Sequence, residues 1–243
     1  MSGHSKWSTI KNKKAKTDAV RGKIFTKLGR DIVIAVKEGG ADPDNNSKLR
    51  DVIAKAKANN MPNDNIARSI KKAAGESSNS NYEEITYEGY GTNGVAIIVE
   101  TVTDNKNRTA SEIRHIFDKY GNGMGTTGCV GWMFDKKGII VIERTDAIDE
   151  DELMELALDN GAQDFETLDD AFEIYTLPQD YFAARDALEA KGYEFINAGV
   201  ELIPQNTVNV EGETAEKIIK LIDFFEDNDD VRNVYHNAII DED

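Results

Sequence analysis

Thiols and imidazoles are scarce in this chain. Its 243 residues include one cysteine, Cys129, and three histidines, His4, His115 and His236. A single thiol excludes an intrachain disulfide and any multi-thiolate zinc site. The histidines lie far apart and form no HExxH or HxxxH unit, so neither a metal nor another cofactor is expected. No apolar run approaches the roughly 18 residues that a membrane-spanning helix needs, so no membrane partner is expected. The opening stretch from Met1 to Trp7 lacks the apolar segment of a secretory leader, and the expectation is a cytoplasmic protein.

What the chain has is charge, unevenly placed. The formal net charge is −16. Residues 1–75 carry +10 and residues 76–243 carry −26. The field near a surface follows local charge over roughly 8–10 Å, not the whole-chain sum. The asymmetry therefore fits a basic module that binds a polyanion, attached to an acidic body. It also fits a basic helical domain that docks on its own acidic partner domain.

Residues 1–16 are lysine-rich and hold Trp7 and Ile10 as their sizeable hydrophobes. They read as a flexible basic arm or a helix that forms on contact. Residues 17–38 read as a helix. Projected at 100° per residue from Val20, Ile24, Phe25, Leu28, Ile32, Ala35 and Val36 fall between about 40° and 160°, a core stripe. Lys23, Lys27, Arg30 and Lys37 fall on a separate face, and Arg21 is the exception inside the stripe. Gly39-Gly40 and Pro43 end this helix. Further helices are expected at 46–59, and from Pro62 to Gly75 with Ile66 and Ile70 inward. Lys48, Lys55, Lys57, Arg68, Lys71 and Lys72 decorate these two. Residues 76–81 are small and polar and read as a linker.

After residue 82 the periodicity changes. Strands are expected at Ile85–Tyr90 and Val95–Thr103, a helix at about 107–120, and strands at Val130–Phe134 and Ile139–Glu143. A helix at 149–160, strands at 164–168 and 171–176, a helix opened by Pro178 and a strand from Tyr193 to Ile203 complete a βαββαβ order, the ferredoxin-like unit. A strand near 207–210, a helix with Thr214 as N-cap and a strand at 231–236 join the 94–134 elements to complete a second such unit. The expected fold class is thus α+β: a basic three-helix N-terminal domain (1–80) plus two ferredoxin-like domains. One is discontinuous (82–131 and 205–243), and the other is inserted in it (132–204).

Two loops draw attention. Gly121-Asn122-Gly123-Met124-Gly125-Thr126-Thr127-Gly128 has the composition of a phosphate cradle. It follows a helix and precedes a strand, the reverse of the order such a cradle needs, so a helix cap and irregular turn is the better reading. Thr103-Asp104-Asn105-Lys106-Asn107-Arg108-Thr109 joins a strand to a helix. Its Lys106 and Arg108 sit at a helix N-terminus, where they want an anion or carboxylate. It reads either as a polar contact site or as a well-capped loop. His115 reads as a surface histidine and Cys129 as a small buried hydrophobe. Glu226–Asp230 and Asp241–Asp243 read as solvated acidic surface that would repel a polyanion from the wrong face. No catalytic residue can be named and no enzyme is expected.

Several strings closely resemble the YebC/PmpR family. They are Gly3-His4-Ser5-Lys6-Trp7, Ile10-Lys11, Lys13-Lys14, Phe25-Thr26-Lys27-Leu28, Gly39-Gly40 with Asp42-Pro43, and Asn60-Met61-Pro62 with Asn65-Ile66. Tyr87-Glu88-Gly89-Tyr90-Gly91, the Thr103–Thr109 loop and Trp132-Met133-Phe134 continue it, so the resemblance covers essentially the whole chain. Thr92 stands where the family usually has Pro, and Cys129 where Ser or another small residue is common. The resemblance implies a three-domain α+β protein of the bacterial cytoplasm with mitochondrial counterparts. It implies either a DNA-binding transcriptional regulator or a ribosome-associated translation factor that binds ribosomal RNA. The expected nucleic-acid contacts are Lys6, Lys11, Lys13, Lys14, Lys16, Lys23, Lys27, Arg30 and Lys37, with Lys106, Arg108 and Arg114 as secondary ones. A small-molecule sensor or enzyme ranks third, and the oligomeric state stays open.

Overall fold

The computed structural model describes residues 18–75 and 82–240. The arm at 1–16, the linker at 76–81 and the acidic tail at 241–243 lie outside the described residues. Within them the chain is α+β, with seven helices and nine strands.

Three helices come first: α1 (Asp18–Gly39), α2 (Ser47–Ala58) and α3 (Asn63–Ala74). Leu28, Ile32, Ala35 and Val36 of α1 meet Leu49, Val52 and Ala56 of α2 and Ile66 and Ala73 of α3 in one buried cluster. Each large aliphatic side chain so buried contributes about 1.5–3 kcal/mol. Gly40 lies in the left-handed region at φ 87°, which ends α1. Asn46 then locks the corner. Its Nδ2 donates to the Ala35 and Gly40 carbonyls at 2.7 and 2.8 Å, and its Oδ1 accepts from the Leu49 N–H at 3.0 Å. A Cβ on Gly39 would come within 2.7 Å of that side chain. Pro62 stands just outside α3 as its N-cap residue, not in its first turn.

Strands β1 (Glu83–Tyr90) and β2 (Ala96–Thr103) form an antiparallel hairpin, and β8 (Val231–His236) pairs with β2, giving the order β1-β2-β8. Helices α4 (Lys106–Tyr120) and α7 (Gly212–Asp227) bury Ile113, Phe117, Ile218, Leu221 and Phe225 against Val95, Ile97 and Val99. The Phe117 and Phe225 rings lie 4.7 Å apart. A short parallel pair, β7 (Val208–Val210) with β9 (Ala238–Ile240), completes this region.

Here the strand list departs from a second full βαββαβ unit. The strand expected at Val130–Phe134 is a turn of 3-10 helix over Gly131–Met133, and Phe134 already begins the next strand. The cause is Glu88, whose carboxylate captures the backbone N–H groups at 128, 130 and 131 that a sheet partner would otherwise use. Thr214 is also inside α7 rather than its cap, which is Glu211.

Phe134–Gln205 forms a compact unit of its own, and the described residues up to Met133 together with those from Asn206 form the other. In Phe134–Gln205, β3 (Phe134–Glu143), β4 (Ala162–Thr167), β5 (Ala171–Thr176) and β6 (Phe195–Pro204) make an antiparallel sheet of order β4-β5-β3-β6. Helices α5 (Glu150–Asp159) and α6 (Tyr181–Ala190) pack on one face, over Ile140, Ile142, Phe172 and Ile174. This is the ferredoxin-like arrangement. Asp149 caps α5 by accepting from the Glu152 N–H at 3.1 Å. Pro178 lies in a turn, and α6 starts only at Tyr181.

Candidate nucleic-acid interface

Lys6, Lys11, Lys13, Lys14 and Lys16 lie outside the described residues. The face of α1 that carries Lys23, Lys27 and Arg30 is not the solvent-facing ridge that the helical projection suggests. Lys23 Nζ pairs with Asp227 at 2.5 Å. Lys27 Nζ donates to the Glu226 carbonyl at 2.6 Å, and burial pushes its ammonium below its ordinary value despite the nearby Glu226 and Asp229. Arg30 donates to Asp230 Oδ1 at 2.7 Å and to the carbonyls of Asp229 and Val102 at 2.9 and 3.2 Å. The three cations, spaced i, i+4 and i+7, line one side of the helix and meet the acidic segment 226–230. In this structure these three cations meet acceptors within the chain. Of the run read as solvated acidic surface, Asp227 and Asp229 are exposed, whereas Asp230 is buried.

Asp230 is the centre of the contact and is 4% exposed. Besides Arg30, it accepts from Arg108 Nη2 at 2.7 Å, Thr109 Oγ1 at 2.7 Å and Thr103 Oγ1 at 3.2 Å. Burial alone would raise its carboxyl, but the bonds from Arg108, Thr109 and Arg30 outweigh it and hold it below its ordinary value. The Thr103–Thr109 loop thus builds a carboxylate clamp. Asn105 caps α4 by accepting from the Arg108 N–H at 3.1 Å, and Arg108 also pairs with Asp104 at 3.1 Å. Arg108 is accordingly committed to the protein's own acids. A second exchange runs beside the first. Arg232 pairs with Asp31 at 2.7 Å and with Glu84 at 2.6 Å. A cleft of about 590 Å³ opens next to the clamp, but five carboxylates line it against three cations, which suits no phosphate.

The glycine-rich loop holds an anion after all, one from within the chain. Glu88, 7% exposed, accepts from the N–H groups of Gly128, Val130 and Gly131 at 2.7, 2.8 and 2.7 Å. The nest is filled, so it is no phosphate site. Removing the carboxylate strands three buried or half-buried donors at about 1–3 kcal/mol for such a group. Glu88→Ala should therefore unfold at least about 3 kcal/mol more easily in urea, with amide exchange accelerating first at 126–131. An unchanged midpoint would show that the nest is not structural.

The positive surface that stays open lies elsewhere. Arg68, Lys71 and Lys72 are exposed on α3 and fall about 140° to 240° around the helix from Ile66, opposite its buried side. Lys55 and Lys57 are exposed on α2. None of these five has an ion-pair partner among the described residues. Lys37 is exposed in the last turn of α1. Lys106 and Arg114 are exposed on α4. The α3 residues were visible in sequence as helix decoration. Their spacing at i, i+3 and i+4 with no acidic stripe to answer them was the available signal.

Among the described residues, no group of three or more His, Cys, Asp or Glu side chains could hold a metal ion, and no helix is long and apolar enough to cross a membrane.

A model of the TACO1/YebC protein N-terminal domain matches residues 5–76, and a model of the TACO1/YebC second and third domain matches residues 82–238. A protein of Acetivibrio thermocellus named "Probable transcriptional regulatory protein" is 62% identical over 238 residues, 98% of each chain. One of the same name from Clostridium tetani is 61% identical over 238 residues, 98% of this chain and 97% of its own. The crystal structure of a conserved hypothetical protein from Aquifex aeolicus is 43% identical, covers 95% of each chain and gives a TM-score of 0.83. With both family models matched in succession and relatives this similar along their full length, the chain belongs to the TACO1/YebC family.

Proposed function

We propose that this chain is a non-enzymatic, cytoplasmic regulator of gene expression that binds DNA through its N-terminal basic module. The observation that carries the reading is the exposed α3 face of Arg68, Lys71 and Lys72, while Lys23, Lys27 and Arg30 of α1 meet acceptors within the chain. The reading takes Lys6, Lys11, Lys13, Lys14 and Lys16, which lie outside the described residues, as further contacts, together with the exposed Lys37, Lys55 and Lys57. The relatives' shared name supports regulation of transcription as the process. In this reading residues 1–80 form the binding domain, 82–131 with 205–243 its platform, and 132–204 an inserted domain.

The chemistry of the contact is mainly ionic. Phe25 is the one aromatic among the described residues of α1 to α3, and it packs partly into their core. Base stacking has no platform there, so phosphate contacts dominate, and these position without specifying sequence. Six such contacts to duplex DNA give a slope of log K against log salt near −5, at about −0.9 per contact. Fluorescence anisotropy with a labelled duplex across 50–300 mM salt measures it. An affinity independent of salt would overturn the ionic reading. Co-sedimentation with ribosomes at moderate salt, with no retention of duplex DNA, would assign the same face to ribosomal RNA.

A further inference from the structure

The loop that Glu88 organises ends in the most exposed large hydrophobic side chain among the described residues: Trp132 is 67% exposed. It sits in the turn of 3-10 helix over Gly131–Met133, and that turn is pinned from several sides. Glu88 takes the N–H groups of Val130 and Gly131, and the Met133 N–H donates to the Val130 carbonyl at 2.9 Å. The indole Nε1 donates to the Cys129 carbonyl at 3.1 Å, and the Tyr90 hydroxyl donates to the same oxygen at 3.2 Å. The ring is therefore held in one orientation while most of its surface meets water. Phe224, also exposed, is already stacked on Tyr120 at 4.0 Å, whereas no ring among the described residues stacks on Trp132. The surroundings are polar and uncharged. Thr126, Thr127 and Gly128 are exposed, and residues 121–133 contain no charged side chain.

We propose that Trp132 is a stacking plate for an unpaired nucleobase. An anchor for a protein partner works inside a ring of contacts that shuts out water. Trp132 instead stands alone among threonines and glycine, a pattern that suits one flat ring laid on another. Because the indole is fixed beforehand, stacking costs it little conformational freedom. The loop's lack of carboxylates at its surface leaves nothing there to repel the phosphates on either side of the base, and the Thr126 and Thr127 hydroxyls offer hydrogen bonds to a base edge or sugar. Stacking of this kind tolerates any sequence, since every base has a π-face. The class of ligand rests on the nucleic-acid reading above. The site shares no residue with the α3 face, and it requires a base that the duplex does not present.

Tryptophan fluorescence of the full chain tests the stacking. The chain has two tryptophans, so Trp7→Phe leaves Trp132 as the one emitter. Single-stranded oligothymidylate of about 12 nucleotides, within the usual site sizes, should quench that emission saturably, and an abasic strand of equal length should not. In anisotropy with the labelled oligothymidylate, Trp132→Ala should bind about fivefold or more weakly than the parent, and Trp132→Phe, which keeps a ring, should lose less. The side chain is exposed, so both variants should keep the parent's melting temperature. Oligothymidylate that binds without quenching Trp132, equal quenching by the abasic strand, or equal affinities for Trp132→Ala and the parent would overturn the stacking and leave the duplex reading to its salt slope. An emission shift that grows with protein concentration and ignores oligonucleotide would assign the indole to a protein contact, which also overturns it. Failure to bind either the single strand or the duplex would refute the nucleic-acid reading and the stacking together.

Discussion

Replacing Asp230 with alanine should cost about 3 kcal/mol or more of folding stability, a fall in melting temperature of roughly 6–12 °C for a chain of this size. The carboxylate accepts from two guanidinium groups and two threonine hydroxyls while 4% exposed. Its loss leaves Arg30, itself half-buried, facing the carbonyls of Val102 and Asp229 without a counter-charge. Removing one partner of a buried ion pair is more costly than removing both. Arg30→Met combined with Asp230→Ala should therefore recover part of the loss. The same group shapes acid sensitivity. Its carboxyl is held below its ordinary value in the fold, so its stabilisation is complete above roughly pH 5. It is lost as pH falls below the unfolded value near 4 and through the lowered native one. Asp230→Asn should be less stable at pH 7 and lose less than the parent between pH 5 and 3. Urea midpoints across that range measure both. A midpoint for Asp230→Ala within error of the parent would mean that the clamp holds nothing.

Reversing Arg68, Lys71 and Lys72 to glutamate should weaken duplex binding about 100-fold or more at 0.15 M salt. Three lost phosphate contacts remove about 2.7 from the salt slope, and each is worth about 0.7 log units at that ionic strength. Repulsion by the new carboxylates adds to the loss. All three side chains point away from the α3 core, so the helix should keep its fold, as circular dichroism would show. Lys23→Gln is the matched contrast. It breaks an exposed pair with Asp227 and should change neither affinity nor slope. Equal losses from Lys23→Gln and from the α3 triple variant would return the interface to α1.

Much of the fold was legible because periodicity speaks directly about elements. The apolar stripe of α1, the glycine stop at 39–40, the Asp149 cap and the βαββαβ order of Phe134–Gln205 each follow from local chemistry. The Val130–Phe134 segment misled because its residues suit a strand, while Glu88, 42 and 43 residues earlier in the chain, claims the N–H groups of Val130 and Gly131. The basic face of α1 misled for the same reason. Projection shows which side of a helix a lysine occupies, and it is silent on what lies opposite. The complementary acids sit about 200 residues away, in a run that looks like ordinary solvated surface. The Thr103–Thr109 loop was legible as something that wants a carboxylate, and Asp230 answers it from 122 residues beyond Arg108.

The double exchange between α1 and the start of β8 has a consequence for how those segments assemble. Arg30 meets Asp230, just before β8, and Asp31 meets Arg232 within it, so neighbouring positions on the helix carry opposite signs and the segment Asp230–Arg232 presents them in the complementary order. Moving Asp31 into the seat of Arg30 would set carboxylate against carboxylate. The two segments behave as a keyed plug and socket that rejects the adjacent fit, so α1 either seats in this one way or comes away altogether.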